Sequence, residues 1–250
     1  MYDRIVTAYT FSKSNWPLLV STGVQNLGGF VGYGLAVRQL LKRGTSPVPL
    51  WVHTFFLVHD STFAIRCLLA APQYDYHWFL ILYGLGLLVW TVQEIYTISR
   101  FVTDDVLRQE TWGPYRHGPV SKRDATWSSL KQIVGFYCLF NFVYSRFAHD
   151  GAPMYDWFIL SIVADTWGPV QLWRTQKWRE DCGPARAVVM VVNAIVAFQP
   201  WNMWAMAFPD LYDTFWYKAM GVLTIVIAIV HLKIVMDMPS EKKWNKGKRQ

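Results

Sequence analysis

The chain has 250 residues, of which 53% are apolar and 16% are charged, whereas an ordinary soluble domain has about 25% charged residues. This composition excludes a disordered chain and argues against a simple soluble enzyme. Aromatic residues make up 17% of the chain, and such rings favour membrane interfaces and apolar pockets.

Seven apolar stretches reach or approach the roughly 20 residues that a helix needs to cross a bilayer. In chain order they cover residues 16–37, 50–70, 77–99, 129–144, 155–172, 187–206 and 215–235. They predict an all-α, seven-helix membrane bundle that forms one domain over residues 1–240, followed by a basic tail at 241–250. Because the first stretch is long and lacks a small-residue cleavage site, we expect a true span there rather than a cleaved signal.

Basic residues are distributed unevenly between the predicted loops. Most of the 24 lysines and arginines lie after the first, third and fifth spans and in the tail, which predicts a lumenal or outside N-terminus and a cytosolic C-terminus. This topology explains the net charge of +7 without a nucleic-acid partner. Lys246 and Lys248 resemble a dilysine retrieval signal, so we expect the endoplasmic reticulum in a eukaryotic host and the plasma membrane in a bacterial one.

A short internal repeat relates the first and fifth predicted spans. They end in Gln-Leu-Leu-Lys at 39–42 and Gln-Leu-Trp-Arg at 171–174. The similarity fits a parallel three-helix duplication with the fourth span as linker, as in some transporters. The alternative is that two helices end in ordinary interfacial residues.

Asp60 is the first candidate for function, because ionisable groups at bilayer depth are costly and mark function by default. It lies ten residues beyond Leu50, roughly 15 Å along a helix and close to the midplane. Phe56 and Phe63 share its helix face, with His53 two turns earlier. Apolar surroundings favour the neutral acid, so Asp60 is predicted to donate a proton. The alternative is a packing hydrogen bond to a neighbouring span.

Two further carboxyls lie within predicted spans. Glu94 is expected to reach toward the depth of Asp60, where the two groups could share a proton; alternatively it snorkels or pairs with an arginine. Asp165 precedes Pro169, where a kink could open a cavity, or where the carboxyl could instead bind the backbone that the proline frees. In the seventh span, His231 either relays a proton or makes a polar contact.

Motifs for metal or cofactor chemistry are absent from the sequence. The chain has no DDxxD or DxDD, no NDxxDxxxD, no HExxH, no P-loop and no GxGxxG. The three cysteines have no CxxC spacing, and the six histidines show no paired four-helix heme pattern. We therefore expect no metal and no cofactor, and metal-assisted diphosphate chemistry is disfavoured.

The second predicted span and the loop before it carry a series of motifs at fixed spacing. The series is Gly32-Tyr33, Arg38, Lys42, Thr45, Pro49-Leu50 and His59-Asp60. It resembles, without a gap, the N-Y…R…T…(M)-P-L…W-E pattern of the transmembrane terpene cyclases of meroterpenoid and indole-diterpene pathways (paxilline- and pyripyropene-type cyclases). Further similar segments are Trp90 to Glu94-Ile95, Thr111-Trp112 to Pro119-Val120, and Gln171-Leu172 with Arg174.

This resemblance implies a cyclase that works without a metal, protonates a terminal epoxide or olefin of a prenylated acceptor, and directs carbocation cyclisation. The family's essential acid in the second span corresponds to Asp60. Its Trp-Glu pair is His59-Asp60 here, and its Asn four residues earlier is Phe56. Its second acid, in the seventh span, falls on Ala228, and the tyrosine after that acid falls on His231.

The predicted site combines these arguments. Its catalytic residues are Asp60 with Glu94 as the partner acid, and His231 or Asp165 as substitutes for that partner. Its substrate-binding residues are His53, Phe56, His59, Phe63, Trp90 and Trp167. Phenylalanine and tryptophan rings in this set are expected to stabilise developing cations. The expected partners are a prenylated small-molecule substrate, the bilayer, and an upstream epoxidase or prenyltransferase.

Two other functions fit the same sequence. One is a small-molecule transporter of parallel three-helix-repeat type, which the internal repeat and the midplane acids favour. The other is a lipid- or sterol-binding membrane protein, which would use the same cavity without turnover.

Overall fold

A computed structural model of the chain describes residues 2–115, 118–147, 160, 162–172, 177–179 and 181–240, and these residues form an all-α protein. The helices are α1 (Tyr2–Ala8), α2 (Trp16–Arg43), α3 (Leu50–Ala70), α4 (Trp78–Thr103), α5 (Asp105–Trp112), α6 (Lys122–Phe147), α7 (Gly183–Phe198), α8 (Met203–Ala207), α9 (Pro209–Tyr212) and α10 (Phe215–Asp237). The predicted tail at 241–250 lies outside the described residues, as do residues 155–159 and 161 of the fifth predicted span.

Four helical segments are long and apolar enough to cross a membrane. They are Leu50–Tyr74, Trp78–Thr103, Gly183–Ala207 and Phe215–Asp237. They coincide with the second, third, sixth and seventh predicted spans and indicate a multi-pass membrane protein. The helices α2 and α6 cover the first and fourth predicted spans, but they are less apolar along their length. The seven-span topology therefore stays a prediction.

Contacts divide the chain into two compact units, of which the first contains Met1–Tyr9 and Val48–Ser161. In this unit α3 packs along α4 and also contacts α6. A Cβ atom at Gly84 of α4 would lie 2.9 Å from Leu68 Cγ of α3, so the glycine permits a close approach of the two helices. The helix faces that carry Gly84 and Leu68 are therefore packed directly against each other.

The second unit contains Thr10–Pro47 and Ile162–Gln250. Here α7 contacts both α2 and α10. Met190 and Ala194 of α7 pack with Ala228 of α10 in a buried apolar core. Residues 162–167 are helical and continue into a 3₁₀ turn over Gly168–Leu172. The second unit therefore has its own core, built largely on α7.

Gly221 of α10 marks a tight contact with α7. A Cβ atom there would lie 2.8 Å from Cβ and ring atoms of Phe198, so we expect Gly221→Ala to destabilise the protein by about 1–3 kcal/mol, the usual cost of overpacking. Gly23→Ala in α2 is the control, because nothing lies within 4 Å of a Cβ atom at that position. Thermal unfolding of the two variants in one detergent compares them, and equal midpoints would contradict the close packing at Gly221.

Candidate active site

Asp60 lies in the middle of α3 and is buried, with 2% of its surface exposed. Its Oδ1 atom is 2.7 Å from Nδ1 of His59, which is also buried. Among the described residues its hydrogen-bond partner thus lies on the same helix, and not on a neighbouring span. The Asp60 carboxyl and the His59 imidazole, both buried, thus form a hydrogen-bonded pair on α3.

Aromatic rings surround the imidazole of this pair. The ring centroid of His59 lies 4.7 Å from that of Phe63 and 6.0 Å from that of Phe55. Phe56 and, from α6, Phe140 lie at 6.3 Å and 6.4 Å. The pair therefore sits among rings whose π faces attract positive charge.

Glu94 of α4 is completely buried and contacts α3. Its Oε2 atom is 2.7 Å from Nδ1 of His53. Because Glu94 has no exposed surface and its partner is a histidine, it neither snorkels nor pairs with an arginine. In the part of the chain that the structure describes, Glu94 Oε1 has no hydrogen-bond partner. A buried acceptor without a hydrogen bond costs free energy. Glu94 Oε1 is therefore suited to accept a hydrogen bond from a ligand or a water molecule.

The two carboxyls lie close enough for their charges to interact. Tyr83 of α4 is also within electrostatic range of Asp60, and its ring stacks on Phe79 with centroids 5.0 Å apart. Sequence reasoning expected Glu94 near Asp60 but missed Tyr83. The one signal for Tyr83 in the sequence is that a tyrosine hydroxyl lies among apolar residues in the third predicted span.

Two hydrogen bonds join α3 to α6. The hydroxyl oxygens of Ser61 and Tyr137 are 2.6 Å apart, and Thr54 Oγ1 donates to Gln132 Oε1 at 3.2 Å. Both α6 residues were missed, although polar side chains in a predicted span are a recognisable signal. These bonds hold the helix that carries Asp60 against α6.

The predicted residues divide between the two units. The first unit contains His53, Phe56, His59, Asp60, Phe63, Trp90 and Glu94, and the second contains Asp165, Trp167 and His231. In the second unit His231 is buried, and 37% of the surface of Trp167 is exposed. Among the described residues the partner of Asp165 is Arg186, with Oδ1 to Nη2 at 3.4 Å.

Among the residues that the structure describes, no three histidine, cysteine, aspartate or glutamate side chains are arranged to hold a metal ion. Comparison of the chain with protein-family models, curated proteins and solved structures finds no match. The site's own chemistry and the short motifs in the sequence are therefore what points to a function.

Proposed function

We propose that this chain is a membrane terpene cyclase acting on a prenylated acceptor. Asp60 protonates a terminal epoxide or olefin of the substrate. For an epoxide the C–O bond breaks, double bonds of the prenyl chain attack the resulting cation in turn, and a base removes a proton from the last cation. No electron is gained or lost, so the product is an isomer of the substrate.

The observation that carries the proposal is the buried Asp60–His59 pair. A carboxyl without contact to water is held as a neutral acid in an apolar pocket and can give its proton to a bound substrate. His59 Nδ1 lies 2.7 Å from Asp60 Oδ1, which leaves the second carboxyl oxygen for the substrate. His59 would thereby fix the orientation of the acid.

The rings around the pair support the second stage of the reaction. Phe63 and Phe56 are in contact with His59, and Trp90 lies on α4 one turn before Glu94. Aromatic faces stabilise a cation without reacting as a nucleophile would. A carbocation that moves along a prenyl chain needs such an environment, and water must be kept out until the last proton leaves.

The base that ends the reaction is assigned to the Glu94 carboxylate, and the proton that it takes from the last cation returns to Asp60 before the next turnover. The position of the family's second acid is Ala228, which is fully buried in the core of α7 and α10, so no carboxyl stands there. Glu94 has one oxygen held by His53 and one without a partner among the described residues.

The proposal includes an environment and partners. The chain would lie in the membrane as seven spans with its N-terminus lumenal or outside and its C-terminus cytosolic, in the endoplasmic reticulum of a eukaryote or the plasma membrane of a bacterium. A prenyltransferase must make the substrate, and an epoxidase must act first where the trigger is an epoxide. No metal takes part in the proposed step, in keeping with the absence of aspartate-rich motifs.

The test uses membranes that contain the full chain, fed with a farnesylated or geranylgeranylated aromatic acceptor and with its terminal epoxide. We expect a new product of unchanged mass and altered retention time, formed in the presence of a chelator. Membranes without the chain are the control. Absence of any isomer from well-folded protein would contradict the proposal, and transport of the substrate across vesicles would then favour the transporter.

A further inference from the structure

A pocket in the second unit contains a buried cation that the proposed reaction does not use. It is lined by Gln39, Pro47, Pro169, Gly183, Arg186, His231 and Val235. All of these residues belong to the second unit. Five of them come from the last turns of α2, the start of α7 and the last turns of α10, while Pro47 follows α2 and Pro169 lies in the 3₁₀ turn. The pocket therefore lies where three helix ends meet.

Arg186 has more hydrogen-bond donors than the described residues satisfy. It is 8% exposed, and its one side-chain acceptor in the described part of the chain is Asp165 Oδ1, at 3.4 Å from Nη2. A guanidinium has five N–H donors, and a buried charge needs hydrogen-bonding partners. The remaining donors are therefore available to an acceptor in the pocket.

Gln39 and the start of α7 add further donors. Gln39 is 6% exposed and lines the pocket. Helix α7 begins at Gly183, which also lines the pocket, and its N-cap residue Cys182 makes no side-chain cap hydrogen bond. Free N–H groups at a helix start attract anions. A guanidinium, an amide and a helix start thus converge on one space.

We propose that this pocket binds a phosphate group, held by Arg186 and Gln39 at the start of α7. Arginine and helix N-termini are the groups that proteins use for phosphate. Basic pockets between membrane helices on the cytoplasmic side bind anionic lipid headgroups, and the charge distribution predicts that these helix ends are cytoplasmic. The phosphate belongs either to an anionic lipid or to a free ion. The inference does not depend on the proposed cyclisation.

Binding to the purified full chain in a neutral detergent tests the inference. The probes are dioctanoyl phosphatidate, dioctanoylglycerol as the same lipid without phosphate, and inorganic phosphate, and the readout is the dissociation constant from calorimetry. We expect phosphatidate to bind and dioctanoylglycerol not to bind. Saturable binding of inorganic phosphate at the same site would identify a free ion as ligand, and phosphatidate binding alone would identify a lipid headgroup.

Three variants assign the site. Arg186→Gln is expected to weaken phosphate binding by about tenfold or more, because it removes a charged hydrogen-bond donor. Lys233→Gln removes an exposed positive charge from α10 and is expected to change binding by less than about twofold. Gln39→Leu removes the amide alone and should weaken phosphate binding by about threefold or more. If Arg186→Gln does not fold, Gln39→Leu shows whether the phosphate binds in this pocket.

Two results would overturn the inference. The first is that neither phosphatidate nor inorganic phosphate binds the wild-type chain. The second is that Gln39→Leu and folded Arg186→Gln bind phosphatidate as tightly as Lys233→Gln does. That result would show that the lipid phosphate is attracted by the protein's surface charge and does not bind in the pocket.

Discussion

Asp60→Asn is expected to lower the rate of product formation by about 10²–10⁴-fold, the usual contribution of a general acid. Asparagine has nearly the same shape and can keep a hydrogen bond to His59 Nδ1, but its amide has no proton of suitable acidity to give. The rate is measured as isomer formed from the prenylated substrate per amount of folded protein in the membrane. The thermal unfolding midpoint of the variant is measured in parallel.

Asp60→Glu separates acid chemistry from side-chain length. It keeps a carboxyl and introduces the residue that the resembled cyclases have at this position, so we expect it to retain far more activity than Asp60→Asn. Asp75→Asn is the matched control: Asp75 is exposed, and its φ of 49° lies in the left-handed region that asparagine accepts. Wild-type turnover by a folded Asp60→Asn variant would rule out Asp60 as the proton donor.

His53→Leu is expected to lower the free energy of unfolding by about 3–5 kcal/mol. The substitution leaves Glu94 completely buried with neither oxygen paired to the described residues, since Oε2 loses its contact with His53 and Oε1 has none. Unfolding by dodecyl sulfate in mixed micelles measures the loss. His77→Leu is the control, because His77 is only partly buried and its Nδ1 has no partner in the described residues; we expect it to cost less than about 1 kcal/mol.

The double variant His53→Leu/Glu94→Leu tests whether the two residues act as a pair. Once both polar groups are gone, no unpaired group is left in the interior, so the double variant should be less destabilised than the sum of the two single variants by about 1–3 kcal/mol. Additive losses would show that the 2.7 Å contact contributes no coupling. In the proposed reaction the His53→Leu variant would also lose the group that holds the terminating base.

The apolar stretches at 50–70, 77–99, 187–206 and 215–235 were enough to predict four membrane-crossing helices. A long apolar run has few alternatives, because the backbone must satisfy its own hydrogen bonds in lipid. The stretches at 16–37 and 129–144 were less decisive about whether a helix crosses the membrane. They do lie in long helices, α2 and α6, but their mixed polarity means that hydropathy alone does not separate a lipid-facing helix from one packed against protein.

Sequence reasoning located the two acids of the first unit but not their partners. Periodicity placed His53 on the face of Asp60, two turns away, and both His53 and His59 were predicted to bind substrate rather than to pair with an acid. In the structure His53 instead pairs with Glu94, and His59 pairs with Asp60. The pairing of His53 depends on which faces of α3 and α4 meet, which a single helix does not encode.

The sequence by itself determined that the chain is helical, that four of its segments are long and apolar enough to cross a membrane, and that Asp60 lies near the middle of one of them. Length, hydropathy and helical rise are local properties. Only the tertiary structure decided that Glu94 contacts α3 through His53, that Tyr137 and Gln132 of α6 bind α3, and that Arg186 enters a pocket with Gln39. These contacts join residues far apart in the chain, and they depend on the register and the close approach of packed helices, as at Gly84.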